Sequence, residues 1–381
     1  MNIYLDYNST TPVDKRVLEC MLPFFTDKFG NAASKTHSYG WLAEEAVKNA
    51  RKQASDFLNC GESEIVFTSG ATEAINLGIK GVAEAYSSKG KHIITVSSEH
   101  KAVLDTCKHL EKQGFEITVL PVFKDGTIDL IKLDSSIRPD TILVCVMLAN
   151  NETGVIQPIK EIADIAHKKG TLLFTDATQA CGKIRTDVNE LNADLLCLSA
   201  HKIYGPKGIG ALYIRRKNPR VTLIGQIDGG GHEKNLRSGT LNVPGIVGLG
   251  KACELAGESY WEDSSRLSYL RTVLEQRLTE NGKVFINGSI KNRLPNTSNL
   301  CFKGLKAEKL LLLMPEIALA TGSACTSALP EPSHVLLSMG LSNDDAFSSI
   351  RFSLGRFTTE DEINYVVNKI IGISDIKNYN A

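Results

Sequence analysis

The most constraining feature of this sequence is a regular alternation of strand-like and helix-like segments between about residues 60 and 215. EIVFTSG reads as a strand and ATEAINLGIKGVAEAY as a helix; HIITVSS and FEITVLPV are strands around the helix KAVLDTCKHLEKQG. TILVCVMLANN is a buried strand, IKEIADIAHKKG a helix, and TLLFTDAT, ADLLCLSA and GALYIRR are further strands. Such alternation demands crossover connections. It therefore predicts an α/β fold with a mostly parallel sheet between helices. Ligands of such sheets bind at the carboxyl ends of the strands. Polar residues gather there: Ser69, Ser97, Asn150, Asn151, Asp176 and Ser199.

The pattern changes after the glycine-rich stretch GQIDGGGHEKNLRSGT at 225–240. A helix, PGIVGLGKACELAGES, leads away from it, and the chain beyond about residue 258 reads as helix, strand, strand, helix, strand, helix. Two domains are expected: a large α/β domain at 13–257, and a smaller α+β domain built from 1–12 and 258–381. A chain of 381 residues is long enough for both.

Equal numbers of basic and acidic residues, 43 each, argue against nucleic acid or a membrane surface as the main partner. The start, MNIYLDYNSTTPVD, lacks a basic region and a long apolar run, so no signal peptide is expected. ILVCVMLA is too short to span a bilayer. The nine cysteines show no CxxC spacing, so neither a metal site nor a disulfide framework is expected and a reducing cytoplasm fits best. Cys145, Cys197 and Cys301 sit in apolar runs and read as inert core thiols.

LSAHKIYGPKGIG (198–210) delivers Ser199, His201 and Lys202 together at a strand end. A lysine there is either a solvated loop residue or a covalent anchor for a carbonyl cofactor. FTSGATEAIN places Ala71 and Thr72 at a helix start, which is either a plain cap or a phosphate site. LLFTDATQA ends an apolar strand on Asp176 with Gln179 just beyond. A carboxylate there is a cap or the partner of a buried cation, and a protonated pyridine nitrogen is such a cation. A Schiff-base lysine, a pyridine-nitrogen acid and phosphate donors at a helix start are the parts of a pyridoxal phosphate site. His100 in SSEHKAVLD is a first-turn polar residue or a ring-stacking proton carrier. Cys325 lies in ATGSACTSALPEPS, a small-residue and proline-rich loop composition at about 320–333 where a reactive thiol would be expected. Arg351 in SSIRFSLGR faces opposite to Ile350 and Phe352 and is a carboxylate clamp or a surface ion pair.

These segments resemble the cysteine desulfurases, a group of class-V, fold-type-I pyridoxal-phosphate enzymes. LDYNSTTPVD, GNAASKTH, TSGATEAIN, SSEHKAVLD, ANNETGVIQPI, DATQACGK, SAHKIYGPKGIG, GGGHEKNLRSGTLNVPGIVG and GSACTS occur in the order seen there, across nearly the whole chain. The resemblance implies that Lys202 carries pyridoxal 5'-phosphate as a Schiff base. Asp176 would pair with its ring nitrogen and Gln179 with its ring oxygen. Ala71, Thr72, Ser199 and His201 would hold the phosphate. Thr240 would reach the phosphate of a partner subunit, which implies a homodimer. His100 would stack on the ring, Asn151 would lie between cofactor and substrate, and Arg351 would bind the carboxylate of L-cysteine. Cys325 would receive the sulfur as a persulfide, giving L-alanine, and pass it to an acceptor protein such as an iron–sulfur scaffold.

Two departures from the family pattern stand out. Asn8-Ser9 replaces a more usual alanine before TTP, a change expected to touch packing rather than chemistry. The chain ends at IGISDIKNYNA, short of the tail that docks the scaffold in housekeeping members, so the acceptor stays open. A selenocysteine lyase or another transaminating relative is the alternative within the fold, and the GSACTS loop argues against it. A nucleotide-binding module lacks the GxxxxGK[ST] run it would need.

Overall fold

Thirteen strands are present among the described residues of the computed structural model, which are 2–321 and 331–378. In chain order they are β1 (Ile3–Tyr4), β2 (Ile65–Thr68), β3 (His92–Val96), β4 (Glu116–Leu120), β5 (Thr141–Cys145), β6 (Leu172–Asp176), β7 (Leu195–Ser199), β8 (Gly210–Ile214), β9 (Val284–Ile286), β10 (Thr297–Phe302), β11 (Ile317–Ala318), β12 (Ala320–Thr321) and β13 (Ser349–Ser353). Seven form one sheet in the order β2-β8-β7-β6-β5-β3-β4. Its pairs from β4 to β7 are parallel, while β8 runs antiparallel to both β7 and β2. The exception is a matter of reach. Residues 200–209 between β7 and β8 are too few for a crossover, so the chain turns straight back.

Strands β5, β6 and β7 are buried on both faces, which is why they read as unbroken apolar runs. One face packs on the helices Ala71–Ala85 and Lys101–Glu111; the other packs on Ser38–Leu58, Ile159–Lys168 and the start of a very long helix. A second sheet, ordered β12-β13-β10-β9, is antiparallel throughout. The N-terminal arm reaches it. β1 pairs in parallel with β11, and Asp6 bridges Ser353.

One expectation fails. The sequence reading separated two helices near residue 258, but a single helix runs from Val243 to Thr279. No proline interrupts GESYWEDSSR, and apolar residues resume beyond it at Leu267, Leu270, Leu274 and Leu278, helical spacing on one face. The first half of this helix packs into the core beneath the seven-stranded sheet, and the second half into the core of the four-stranded sheet. Gly250 lets it press on the helix Ser38–Leu58: a Cβ there would come within 2.6 Å of the Ala50 Cα. No helix among the described residues is long and apolar enough to cross a membrane.

Candidate active site

Register brings the sequence-marked residues to one end of the large sheet. Gly210 opens β8 and pairs with Thr68 on one side and Ser199 on the other, so the ends of β2 and β7 meet over it. A Cβ at Gly210 would sit 2.6 Å from the Leu198 carbonyl oxygen and 2.8 Å from the Gly70 Cα. Only glycine lets the start of the helix Ala71–Ala85 lie this close to the strand that delivers Lys202. Asp176 ends the neighbouring β6, its register partner being Cys197 on β7.

These ends line a cavity of about 660 Å³. Ala71, Thr72, His100, Asn151, Asp176, Gln179, Ser199, His201, Lys202 and Arg351 all face it. Thr240 does not line it and is exposed. Cys325 lies outside the described residues.

The helix Ala71–Ala85 begins without a side-chain cap, Gly70 preceding it at φ 155°. Its first N–H groups and positive dipole end are thus offered to the cavity. Glu73, in the first turn, also lines the cavity, and its carboxylate accepts from Ser69 N and from Arg237 Nε.

The Asp176 carboxylate is buried, and its Oδ1 accepts the Thr178 backbone N–H at 2.9 Å and the Cys197 thiol at 3.3 Å. Cys197 is therefore more than core packing. Lys202 donates to the Asn8 and Ser9 carbonyls at 2.5 and 2.7 Å. Burial, then the Arg351 charge, lowers its ammonium to about 8. Burial, then Lys202, Lys207 and Lys183, lowers His201 to about 4, so this imidazole is neutral at pH 7. His100 caps the helix Lys101–Glu111 by accepting from Ala102 N. Its ring faces cavity solvent but is crowded by protein, and that desolvation lowers its pKa below the usual histidine value. Arg351 donates to the Asn151 carbonyl, to Asp6 Oδ1 at 2.6 Å and to Ser9 Oγ. Asn151 Oδ1 is buried and has no hydrogen-bond partner among the described residues.

The arm departs from expectation. Asn8, Ser9 and Thr10 line the cavity: the Asn8 and Ser9 main-chain carbonyls hold Lys202, Thr10 Oγ1 meets His201, and Ser9 Oγ accepts from Arg351, so the Asn8-Ser9 substitution touches a charged cavity group through Ser9 and not packing alone. An extended, polar arm carries no periodic signal, and its partners lie some 190 to 345 residues away. Lys207 and Met147 also line the cavity and were not singled out; a basic residue between glycines in GPKGIG is the signal that could have found the first. No cluster of metal-ligating side chains exists among the described residues.

Comparison with known proteins places the chain among relatives of one kind. The family model described as aminotransferase class-V matches residues 3–366. A protein named cysteine desulfurase IscS from Anaeromyxobacter sp. (strain Fw109-5) is 54% identical over 97% of this chain and 91% of its own. A solved structure titled NifS-like protein superposes with a TM-score of 0.92 at 40% identity, covering 99% of this chain and all of the other. Another, titled SspA in complex with cysteine, has a TM-score of 0.82 at 38% identity and covers 94% of this chain and all of the other.

Proposed function

This chain belongs to the class-V aminotransferase family, and from that premise we propose that it works as a cysteine desulfurase, converting L-cysteine to L-alanine and leaving the sulfur as a persulfide on Cys325. It is a pyridoxal-phosphate-dependent enzyme. The observation that carries the reading is the meeting of a half-buried amine, a buried carboxylate and an uncapped helix start in one cavity.

The residues present suit the cofactor. Lys202 is the amine that anchors it, and the uncapped helix start at Ala71 and Thr72, with Ser199 and His201, would hold its phosphate. Asp176 would keep the proton on the ring nitrogen, Gln179 would meet the ring oxygen, and His100 would stack on the ring. The orphaned Asn151 Oδ1 is the kind of buried polar atom that a bound group satisfies. When bound, pyridoxal phosphate supplies a sink for the electron pair left at the substrate α-carbon.

The protein's own groups do the rest. Arg351 binds the substrate carboxylate in bidentate fashion. The Lys202 Nζ takes and returns the α-proton, and a lowered pKa near 8 leaves part of it as free amine at neutral pH. His100, neutral at pH 7, accepts the Cys325 thiol proton. The thiolate attacks the substrate sulfur: an S–S bond forms, the Cβ–S bond breaks, and the carbon fragment is protonated to alanine. The persulfide sulfur passes to an acceptor protein of iron–sulfur assembly or thiolation in the cytoplasm. Thr240, exposed in this chain, would complete the phosphate site of a second subunit in a homodimer. Residues 13–257 form the cofactor-holding domain in this reading, and 1–12 with 258–381 the domain that brings Arg351 and Cys325.

The test is the visible absorbance of the purified protein before and after L-cysteine, with sulfide and alanine assayed in the same tube. A yellow protein whose band shifts and which makes both products is expected; the variant Cys325→Ser keeps the band and the shift but makes no sulfide. A colourless protein that stays inactive with added pyridoxal phosphate overturns the reading.

A further inference from the structure

Lys183 is an anomaly that the proposed chemistry does not use. It follows the cavity residue Gln179 by one helical turn of sequence in DATQACGK and is 9% exposed. Among the described residues no carboxylate pairs with it. Its Nζ donates only to the Gln179 carbonyl at 3.0 Å and to Gln179 Oε1 at 2.9 Å. Burying an amine without an anion is unfavourable. Burial and the nearby Lys202 charge accordingly lower Lys183 to about 7. A small cavity of about 20 Å³ has both Lys183 and Lys202 in its wall.

The hydrogen bonds form a directional chain. The Asn8 carbonyl can only accept, and it takes Gln179 Nε2 at 2.9 Å and Lys202 Nζ at 2.5 Å. At its other end the Gln179 amide meets Lys183, which keeps N–H groups to donate whether charged or neutral. Only one orientation of the amide satisfies both neighbours. Flipping it would set Oε1 against the Asn8 carbonyl, two acceptors face to face, and leave the lysine opposite an N–H₂. Without Lys183 the choice between these nearly isosteric orientations weakens.

We propose that Lys183 is a positioning residue: it fixes the Gln179 side-chain amide with its N–H₂ toward Asn8 and the cavity, and so keeps in place both Gln179 and the carbonyl that holds Lys202. The proposal rests on the cofactor reading above. It explains why an unpaired lysine is retained in a core that methionine would fill more favourably.

The experiment uses holoenzyme of the wild type and of Lys183→Met, Lys183→Arg, Gln179→Ala and the Lys183→Met/Gln179→Ala double variant. Cofactor loss after dilution is followed by visible absorbance, and thermal unfolding is measured on each apoprotein. Lys183→Met is expected to lose cofactor about tenfold faster, the scale of one hydrogen bond to a charged group, while its apoprotein melts no lower than wild type. The double variant should lose cofactor no faster than Gln179→Ala alone, because both changes act on one amide. Lys183→Arg should restore most of the retention. Wild-type retention in Lys183→Met, or additive effects in the double variant, overturns the proposal. A Lys183→Met apoprotein that melts lower in step with its cofactor loss also overturns it, since that marks a merely structural lysine. Wild-type protein without the cofactor band overturns the underlying reading and this proposal with it.

Discussion

The two sheets solve the same problem of burial in opposite ways. In the seven-stranded sheet the central strands are almost wholly apolar, and polar side chains wait until the strand ends, where they become the cavity. In the four-stranded sheet polar side chains are buried inside the strands themselves. Thr297, Ser298 and Asn299 in β10, and Asn296 just before it, are all 0% exposed. Most of these polar groups are satisfied from elsewhere. Asn296 Nδ2 donates to Asn8 Oδ1 and the Leu354 carbonyl; Asn8 Nδ2 donates to Thr297 Oγ1; Asn299 Nδ2 donates to the Glu152 carbonyl. The large sheet is held by a dry core that leaves its chemistry at the rim. The small sheet is held to the arm and to the 150–152 turn by a polar lattice, and Arg351 on β13 enters the cavity through that lattice.

The sharpest break of the comparison is at the rim. Lys202→Ala leaves the apolar core of the large sheet untouched, so folding should survive while turnover of L-cysteine falls by about 10³-fold or more. Sulfide assay alongside far-UV circular dichroism checks both halves. Next comes the dry core. Phe174 is fully buried in β6 and lies so close to Gly78 on the helix Ala71–Ala85 that a Cβ there would meet its ring at 2.7 Å. Phe174→Ala should cost about 3–5 kcal/mol in urea unfolding and loosen the helix whose start faces the cavity.

The polar side is probed by pH. Glu152 is buried, and that burial raises its carboxyl to about 7 despite the Ser333 hydroxyl that donates to it. The unfolded chain holds it near 4.5. Between those values the native state binds the extra proton, so this group's contribution to stability is fully present below pH 4.5 and is lost as pH rises to 7 and beyond. The loss is of order 3 kcal/mol. Glu152→Gln should remove that slope and raise stability at pH 8, measured by denaturant midpoints across the range. Smallest is a single lattice member. Asn299→Ala removes one of the two acceptors of the Asn287 amide, which keeps Ser349 Oγ, and also the bond to the Glu152 carbonyl, and should cost about 1–3 kcal/mol. A loss as large as that of Phe174→Ala would mean that the two sheets are not held differently after all.

Lys202, Asp176 and the helix start at Ala71 were legible because each is fixed by a local rule. An apolar strand must end, and a polar residue at the end of a parallel strand faces the ligand crevice. The strands of the large sheet announced themselves for the same reason, since burial on both faces forces apolar runs. The continuity of Val243–Thr279 was hidden, because GESYWEDSSR looks like a linker until the apolar spacing beyond it is seen to share a face. Asn8, Ser9 and Lys183 were hidden for a different reason. Their work is done by hydrogen bonds whose partners are far off in sequence, or, for Lys183, by an amide orientation that no periodicity encodes.

The sequence by itself determined the α/β alternation, the strand-end clustering of polar residues and the candidate pair Lys202 and Asp176 that the structure brings to one cavity, because period and adjacency are local properties of a chain. The tertiary structure alone decided that the N-terminal arm closes the cavity, that Asp6 and Ser9 hold Arg351, and that Cys197 and Lys183 orient Asp176 and Gln179. Those are pairings of directional donors and acceptors across the fold, and only the packed molecule brings them within hydrogen-bonding distance.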